Sequence, residues 1–460
     1  MLPTKASAES KRLAPGPREW PLLGNLGAMR GLLPFLESQW AAHGDAFRIR
    51  LAGFRALMVA HPDSIQRVLV ANRHNYVKGA AYDGTRRILG ESLVTLDGEA
   101  WKERRSLAQP AFHRQALEKL AAIMVESGAR FFDALDERLG QEGAVVDVHE
   151  EMVRLTLDVV ISALFGRGTI ENSEISYEAL GQTLELLSVG ANGAQLPPWV
   201  PTPRNLRFHR TVRALDANVY KIIETGRAQN AEGTLLSMLL ASRDENGQPL
   251  SDKALRDEVI TLFLAGHETT ALTLSWMFVL LEQEREVIAR MRSEVDSVLG
   301  GREPGFADVP KLAYLRQVID ETLRLRPPAA MVARNAIAED VLGGFYVGGG
   351  ECVVPFIWAA HRHPDYWQDP LRFDPERFTA AASKGRHTSS YLPFSGGPRI
   401  CIGNTFSLVE TVLLVAQMFS RFDMEILSCA DVKPVAIGTV RPSHPVRVRL
   451  SRRRRPLRVA

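Results

Sequence analysis

Hydrophobic side chains recur at three- and four-residue spacings over much of this 460-residue chain, which predicts that helices predominate. The pattern is clearest from Glu99 to about Gly166. Nearer the N-terminus, between Ala46 and Ala60, apolar residues instead alternate or cluster around Gly53, which predicts a β-hairpin. We therefore expect a mainly α fold in which small β-sheets accompany the helices.

One predicted helix is long enough to cross a whole domain. Ser251 is suited to cap its N-terminus, and the apolar pattern runs from Asp252 to about Glu284. A helix of roughly 33 residues is about 50 Å long at 1.5 Å per residue. Its centre carries the polar run His-Glu-Thr-Thr at 267–270. A charge at that depth is costly in lipid, so we do not interpret this helix as a membrane span.

Stretches rich in glycine and proline mark the loops. Residues 13–24 include Pro15 and Pro17, which predict a rigid, turn-rich segment ahead of the fold. Residues 190–204 predict a long loop, and because such loops in compact domains are often functional, we expect a mobile cover over a pocket. Residues 343–350 precede a strand pattern and not a helix, so we interpret them as a hairpin turn rather than a dinucleotide loop.

The composition narrows the class of protein without naming a function. Hydrophobic residues make up 45% and charged residues 24%, as in ordinary globular proteins. The net charge of +3 gives no sign of a nucleic-acid partner, and the arginine run at 452–455 predicts a solvated, frayed tail. Three widely spaced cysteines, Cys352, Cys401 and Cys429, fit a reducing compartment. Since the N-terminus shows no apolar leader, we expect a cytoplasmic protein without a membrane anchor.

The candidate chemistry centres on Cys401, within Phe-Ser-Gly-Gly-Pro-Arg-Ile-Cys-Ile-Gly at 394–403. Arg399 and a helix pattern that begins near Thr405 give a positive field, which favours the metal-binding thiolate. A haem iron held by one thiolate is the candidate centre. A lone cysteine is more often a buried, inert residue, but here its flanks carry three further specified residues, Phe394, Gly397 and Gly403.

This segment is similar to the haem-binding signature F-x-x-G-x-R-x-C-x-G of the cytochrome P450 family. Further motifs follow in the family's order from Pro15 to Glu410. The resemblance is to the soluble bacterial members, and it implies haem b as the cofactor, with Cys401 as the axial ligand of the iron. It also implies a β-rich N-terminal lobe and a single large helical domain at 20–450, between an N-terminal segment at 1–19 and a basic tail at 451–460.

The run Ala-Gly-His-Glu-Thr-Thr at 265–270 resembles the oxygen-binding motif of the same family. Gly266 inside a helix costs about 1 kcal/mol relative to alanine, and such a departure from helix rules suggests a site. The resemblance implies that Ala265 lies against the haem, that Thr269 hydrogen-bonds dioxygen and that Glu268 feeds protons from solvent. The residues alone leave open that Thr269 bonds back to the carbonyl four residues earlier.

A second group of residues predicts a structural ion cluster. Glu321 and Arg324 lie three residues apart on one face of a predicted helix, and their apolar flanks suggest burial. A buried pair needs further partners. The resemblance implies that Arg377 completes a triad with them, which we expect to hold the cysteine loop in place.

The propionates of a buried haem need cationic partners, for which arginine is well suited. The resemblance assigns this contact to Trp101, Arg105, Arg334 and Arg399. We interpret Lys102 and Arg104 as solvent-facing charges. His267, His361 and His363 could each bind iron, but we reject them because a monooxygenase needs an open sixth position for oxygen.

The chain carries no flavin or nicotinamide fingerprint and no Fe–S cysteine cluster, so electrons must come from a separate protein. We expect a ferredoxin with its NAD(P)H-dependent reductase, docking where Lys102, Arg104 and Arg399 supply positive charge, and a monomeric enzyme. One alternative is a haem-thiolate peroxygenase or isomerase, although such relatives tend to lose the Glu268–Thr269 pair. The other alternative is a non-enzymatic haem sensor or carrier.

The predicted pocket is largely apolar, which favours hydroxylation or epoxidation of a fatty acid, terpenoid or steroid. The residues predicted to line it are Tyr82, Leu93, Val94, Leu186, Phe263, Ala265, Ala330, Met331, Val332 and Thr439.

Overall fold

The computed structural model describes residues 12–20, 24–25, 27, 31–51, 54–166, 202–229 and 233–453. Helices predominate among them and short strands form small sheets, which confirms the predicted α+β class. Leu186 and residues 190–201 of the predicted cover lie outside the described residues. No helix in the described part of the chain is both long and apolar enough to cross a membrane.

The α-helices are α1 (Leu32–His43), α2 (Pro62–Gln66), α3 (Asp83–Leu89), α4 (Gly98–Ala108), α5 (Arg114–Leu139), α6 (Val148–Phe165), α7 (Pro203–Gln229), α8 (Leu235–Ala241), α9 (Asp252–Leu281), α10 (Arg285–Leu299), α11 (Ala313–Leu325), α12 (Ile357–Ala360), α13 (Ala380–Ser383) and α14 (Asn404–Arg421).

The strands are β1 (Ala46–Leu51), β2 (Phe54–Val59), β3 (Tyr76–Val77), β4 (Ala144–Asp147), β5 (Arg334–Ala336), β6 (Asp340–Leu342), β7 (Phe345–Val347), β8 (Cys352–Pro355), β9 (Phe422–Ile426), β10 (Pro434–Ile437), β11 (Thr439–Pro442) and β12 (Arg447–Arg452).

Two compact units divide the chain, and each gathers several separate stretches of sequence. The first unit consists of Met1–Asp83, Ala329–Arg372 and Ser383–Cys401. The second consists of Gly84–Pro328, Phe373–Ala382 and Ile402–Ala460.

The first unit is built on a five-stranded sheet in the order β1-β2-β8-β5-β3. The predicted hairpin is present, since β1 and β2 pair antiparallel with Ala46 opposite Val59. The β2 strand pairs in parallel with β8, and fully buried side chains such as Leu57 and Val353 form the core beneath them. The β6 and β7 strands form a second hairpin, whose turn residues Gly343 and Gly344 have φ angles of 56° and 81°. This confirms a hairpin turn at 343–344, where positive φ at both positions favours glycine, but residues 345–347 of the predicted turn form β7.

The second unit holds the long helix α9, which packs along α6, while α14 packs against α5. The side-chain oxygen of Ser251 accepts a hydrogen bond from the backbone N–H of Ala254 at 3.2 Å, as expected for an N-cap. The helix ends at Leu281, slightly earlier than the apolar pattern suggested. Its central position in the unit follows from its composition, because apolar residues cover most of its circumference.

The C-terminal arginines are more ordered than the sequence suggested. Arg452 ends β12, which pairs with both β4 and β9, and its Nε donates to Asp136 at 3.0 Å. The Nη2 of Arg453 lies 2.6 Å from a carboxylate oxygen of Asp296. The prediction of a frayed run is therefore wrong for these two arginines, because Asp136 on α5 and Asp296 on α10 pair with them, while the Arg452 side chain stays exposed to solvent as expected.

Candidate active site

Cys401 ends a tight loop in the first unit. Its backbone N–H donates to the carbonyl oxygen of Phe394 at 3.0 Å. Gly397 has a φ angle of +70°, and a Cβ atom there would lie 2.0 Å from the carbonyl oxygen of Leu69. No larger residue fits at this position unless the main chain shifts. The glycine of the motif is thus required by a close backbone contact, which fixes the path of the chain that leads to Cys401.

The three cysteines differ in their suitability as thiolate ligands. Cys401 is exposed, whereas Cys352 and Cys429 are buried. Burial raises the pKa of each of these two buried thiols to about 11. They stay protonated at neutral pH, and metal ligation requires the ionised form. The chemistry of the donor set therefore selects Cys401.

Arg334 is a buried cation in the first unit. Its side chain is largely buried, with 5% of the residue surface exposed. Its Nη1 donates to the carbonyl oxygen of Ala333 at 2.7 Å and lies 3.5 Å from the hydroxyl of Tyr82. Within the described ranges no carboxylate forms an ion pair with it. A buried guanidinium without a counter-charge fits an anionic group such as a haem propionate, as its predicted role requires.

The other predicted propionate partners are distributed over both units. Arg399 lies two residues before Cys401 in the first unit and is partly exposed. Trp101 and Arg105 lie one turn apart on α4 of the second unit, and both are partly exposed. The Nε of Arg105 makes a long contact of 3.4 Å to the side-chain oxygen of Gln109.

The centre of α9 presents a small exposed surface on an otherwise buried helix. Residues 254–261 and 270–278 are buried, but Ala265 between them is exposed. Thr269 lies one turn further on, and its hydroxyl donates to the carbonyl oxygen of Ala265 at 2.8 Å. The back-bonded geometry that the sequence left open is therefore the one observed. Because this bond uses the one proton of the hydroxyl, its oxygen can still accept a hydrogen bond.

Gly266 has a packing role that the sequence did not reveal. A Cβ atom at this position would lie 2.8 Å from Cγ2 of Val160, on the neighbouring helix α6. The backbone of the two helices also approaches closely nearby, where the Thr156 hydroxyl donates to the carbonyl oxygen of His267 at 2.9 Å. The departure from helix propensity at Gly266 thus has a structural cause, which is the close contact of α6 with α9.

Glu268 is held by two side chains of β11. Its Oε1 accepts from the Thr439 hydroxyl at 2.6 Å and from Nε of Arg441 at 2.8 Å. The Nη2 of Arg441 lies 2.7 Å from the same oxygen, and 19% of the glutamate side chain is exposed. Thr439 was predicted only as a pocket residue, and Arg441 was missed. No local signal identifies Arg441, because it lies 173 positions further along the chain.

Thr270 lies two positions after Glu268 and contacts the carboxyl group of Glu410 instead. Its hydroxyl donates to Oε2 of Glu410 on α14 at 3.1 Å. Burial raises the pKa of Glu410 to about 8, against the opposing effect of this hydrogen bond. Oε1 of Glu410 has no hydrogen-bond partner among the described residues. Glu410 is therefore largely protonated at neutral pH.

The predicted ion triad is present in the second unit. Glu321 and Arg324 are fully buried, and Nε and Nη2 of the arginine donate to the two carboxylate oxygens at 2.6 and 2.7 Å. Nε of Arg377 lies 3.5 Å from Oε1 of Glu321. The backbone N–H of Asp374 donates to the same oxygen at 2.8 Å. The cluster thus fastens residues 374–377 to α11, while its expected effect on the cysteine loop stays a prediction.

The histidines rejected as iron ligands are engaged elsewhere. Nε2 of His361 accepts the backbone N–H of Leu392 at 2.7 Å. A ring nitrogen of His267 lies 3.1 Å from the carbonyl oxygen of Phe263, and burial lowers the pKa of this histidine.

Asp45, His61 and His363 form the one group among the described residues whose spacing suits a metal, with ligand atoms within 4.8 Å of one another. However, Nδ1 of His61 accepts the backbone N–H of Asp63 at 3.2 Å, and Nδ1 of His363 accepts that of Asp365 at 3.3 Å. In neutral imidazoles the proton then lies on Nε2. We interpret the group as a hydrogen-bonded cluster in which His363 donates to Asp45 at 3.1 Å.

The two charges that we interpreted as solvent-facing differ in the structure. Lys102 is exposed and pairs with Glu99 at 2.6 Å. Arg104 is only 15% exposed, and its Nη1 lies 3.2 Å from Oε1 of the fully buried Glu258. The interpretation of Arg104 is therefore wrong, because a buried carboxylate on α9 draws this guanidinium inward.

The predicted pocket residues are placed as follows. Tyr82, Ala330, Met331 and Val332 lie in the first unit, Leu93, Val94, Phe263, Ala265 and Thr439 lie in the second, and Leu186 lies outside the described residues. Phe263 is 2% exposed and packs on the ring of His267 at a centroid distance of 5.6 Å.

Comparisons with known proteins identify relatives over nearly the full chain. The family model described as Cytochrome P450 matches residues 14–450. Cyclooctat-9-en-7-ol 5-monooxygenase of Streptomyces melanosporofaciens is 36% identical over 91% of this chain and 92% of that protein. Pentalenene oxygenase of Streptomyces avermitilis is 34% identical over 92% of this chain and 93% of its own. The solved structure of retinoic acid-bound cyanobacterial CYP120A1 has a TM-score of 0.87 at 27% identity, covering 96% of this chain and 100% of that one.

From the ion triad we predict a large loss of protein stability when the Arg324 side chain is truncated. We expect Arg324→Ala to lower the free energy of unfolding by about 3–5 kcal/mol, because it leaves the buried Glu321 without its bidentate partner. Urea titration followed by circular dichroism measures the change. The control is Arg316→Ala, which removes a partly exposed pair with Asp320 and should cost well under 1 kcal/mol. Equal losses in the two variants would contradict the assignment.

Glu410 predicts a pH dependence of stability. Between the ordinary carboxyl pKa of about 4.5 and its folded pKa of about 8, the unfolded chain is ionised at this group while the folded chain keeps the proton. Raising the pH through this window should therefore lower stability, with no further change from this group above it. Thermal unfolding midpoints across the pH range should show a shallower decline in Glu410→Gln than in the wild type. Parallel curves would show that Glu410 does not titrate as its burial implies.

Proposed function

Because the chain belongs to the cytochrome P450 family, we propose that it oxidises a cyclic terpenoid hydrocarbon or alcohol. It is a haem-binding monooxygenase, an oxidoreductase that uses dioxygen and electrons from a redox partner to hydroxylate a lipophilic substrate. The observation that carries the site assignment is the exposed Cys401 thiol at the end of a loop shaped by Gly397. The substrate class is supported by the names of two relatives, which describe an unsaturated alcohol and an unsaturated hydrocarbon.

We propose that Cys401 holds the haem iron and that Arg334 pairs with a propionate. The exposed thiol and the buried guanidinium without a carboxylate partner in the described ranges support these roles. Arg105, Trp101 and Arg399 are further candidates for the propionate contacts. When bound, the haem supplies the activation of dioxygen, and a thiolate ligand favours cleavage of the O–O bond.

Proton delivery is assigned to Glu268 and Thr269. Glu268 is partly exposed, and Arg441 and Thr439 hold its carboxyl group in a fixed orientation. On release from Arg441 it can take a proton from solvent and pass it toward the interior of the unit. Thr269 donates its own proton to the Ala265 carbonyl, so its oxygen would be free to accept a hydrogen bond from a donor beside the haem. Arg441 and Thr439 thus act as positioning residues for Glu268.

The described residues predicted to line the pocket are apolar or small in each unit, except for Tyr82 in the first and Thr439 in the second. Such a surface binds a hydrocarbon skeleton by burial and selects it by shape. Retinoic acid, which is bound in the solved relative, is also a largely apolar molecule. These features support a terpenoid in preference to a compact polar metabolite.

A ferredoxin is the proposed electron donor to a monomeric, cytoplasmic enzyme. The three cysteines are not joined in disulfides, which fits a reducing compartment. The docking charge proposed on α4 now excludes Arg104, since it is drawn inward to Glu258, and consists of Lys102, while Arg399 is the proposed docking charge of the first unit. Residues 20–450 are proposed to form one P450 domain.

Substrate binding and turnover test the function. We expect cyclic terpene alcohols and hydrocarbons to shift the spin state in the haem spectrum of the purified enzyme. Product should then form with ferredoxin, its reductase, NADPH and dioxygen. Cys401→Ser should lose the carbon-monoxide absorbance typical of thiolate ligation, whereas the control Cys429→Ser should keep it. Turnover with peroxide alone would favour a peroxygenase, and the absence of turnover with every ligand would favour a haem sensor.

The contact of Arg441 with Glu268 predicts a specific kinetic defect. Glu268→Gln should slow product formation by about a hundredfold, since general acid–base groups contribute about 10²–10⁴-fold. Arg441→Gln should slow it less, because the carboxyl loses the cation that orients it but keeps the hydrogen bond from Thr439. Substrate affinity should stay unchanged in both variants. The control Arg449→Gln, which removes an exposed pair with Glu425, should leave the rate of product formation unchanged.

A further inference from the structure

Three consecutive charged residues near the start of α9 are buried. Arg256 is 7% exposed, Asp257 1% and Glu258 0%. Charged side chains are rarely buried unless they are paired, so a run of three requires an explanation. The mechanism proposed above uses none of them.

All three side chains bind the main chain of one segment, residues 88–93. Nη1 of Arg256 donates to the carbonyl oxygen of Ile88 at 3.0 Å. Oδ2 of Asp257 accepts the backbone N–H of Glu91 at 2.9 Å. Oε1 of Glu258 accepts the backbone N–H of Leu93, also at 2.9 Å. We call these three residues the clasp.

The geometry of the helix makes these contacts informative. Successive residues of an α-helix point about 100° apart, so the first and third residues of the clasp point about 200° apart around α9. Because all three nevertheless reach residues 88–93, the segment is held by side chains that leave the helix in different directions. Every contact is to its backbone, which leaves the side chains of Leu93 and Val94 available to face another group.

Gly90 shows how close the segment lies to the helix. Its φ angle is +60°, and a Cβ atom there would lie 2.3 Å from the carboxylate of Asp257. The hydroxyl of Thr95 donates to the carbonyl oxygen of Gly90 at 2.6 Å and accepts the backbone N–H of Ser92 at 2.9 Å. The segment is thus folded on itself and fixed to α9 as one piece.

The charges around the clasp nearly balance. Nε of Arg256 donates to Asp216 at 2.8 Å, and its Nη1 donates to Asp257 at the same distance. Nζ of Lys253 donates to Asp257 at 2.9 Å. Nζ of Lys253 also lies 3.6 Å from the Glu91 carboxylate, so that three cations, counting the arginine described next, face four acids.

Arg104 extends the same contact set to α4. Its Nη1 lies within 3.3 Å of three oxygens, which belong to Glu258, the Glu91 carbonyl and the Ala254 carbonyl. Burial raises the pKa of Glu258 to about 7, and the guanidinium of Arg104 opposes the rise. Arg104 is also the neighbour in sequence of Arg105, a proposed propionate partner. The clasp therefore connects two elements with proposed roles in the site.

We propose that Arg256, Asp257 and Glu258 are positioning residues that fix segment 88–93 and so place Leu93 and Val94 against the substrate. The proposal rests on the proposed function, because it takes these two residues as pocket walls. The clasp sets substrate affinity and the site of oxidation, and it takes no part in oxygen chemistry.

Two substitutions at Glu258 separate the clasp from general stability. Glu258→Ala removes both bonds of the side chain, whereas Glu258→Gln keeps an acceptor for the Leu93 N–H and loses only the charge. The matched control is Asp308→Asn. Asp308 is 3% exposed, and like Glu258 it accepts hydrogen bonds from a backbone N–H and from an arginine. These donors are Gly305 and Arg302. Asp308 does not contact segment 88–93.

Hydrogen–deuterium exchange tests the clasp without a substrate. In the haem-loaded enzyme, amides of residues 88–95 should exchange at least tenfold faster in Glu258→Ala than in the wild type. They should exchange at an intermediate rate in Glu258→Gln and at the wild-type rate in Asp308→Asn. Unchanged exchange in Glu258→Ala, or equal acceleration in the control, would overturn the clasp. If Glu258→Ala does not fold, the comparison of Glu258→Gln with the control decides.

Substrate titration then tests its role in the site. The dissociation constant from the spin-state shift should rise by about tenfold to a hundredfold in Glu258→Ala, as expected on loss of a charged hydrogen bond. The ratio of oxidation products should change, while turnover at saturation stays within about threefold of the wild type. Glu258→Gln should restore most of the affinity. Faster exchange with unchanged affinity and products would reject the positioning role, whereas the absence of any spectral shift in the wild type would reject the proposed function instead.

Discussion

The second unit depends on one constraint, which is that polar groups on the buried helix α9 need partners. Leaving a buried donor or acceptor unpaired costs about 1–3 kcal/mol, and more when the group is charged. The helix carries such groups along its whole length, and several of them bind another element that packs against it. Residues 256–258 bind segment 88–93, Glu268 binds β11, and Thr270 binds Glu410 on α14. Further along, the indole N–H of Trp276 donates to the carbonyl oxygen of Val440 at 2.9 Å.

The parts of this arrangement that local sequence determines were predictable. Ser251 is a strong N-cap residue, so the start of α9 follows from it, and the spacing of Glu321 and Arg324 places them on one helical face. The cysteine loop is recognisable because several specified residues fall within ten positions of sequence. In each case the interacting residues are close in the chain or belong to a known motif.

Contacts between distant stretches could not be predicted in the same way. Arg441 follows Glu268 by 173 positions, and nothing in the pattern around either residue connects them. The sequence around Arg104 is typical of an exposed helical charge. Only the packing of α4 against α9 in the structure shows that Glu258 draws this arginine inward. Gly266 suggests a site from its sequence, yet the reason the structure gives is the nearby Val160. Helix propensity identifies Gly266 as an unfavourable residue in a helix, but it does not reveal the cause, which is tertiary packing.

Three buried carboxyl groups of the second unit show how pairing decides charge. Burial raises the pKa of all three, and what differs is the number of cations nearby. Among the described residues no cation opposes the rise at Glu410, and its pKa of about 8 keeps it neutral. Glu258 has Arg104 and lies at about 7, whereas Glu321 has both Arg324 and Arg377 opposing the rise. Arginines therefore oppose the effect of burial on the pKa where they fasten one chain segment to another, and Glu410 keeps its proton where α14 needs only a hydrogen bond to α9.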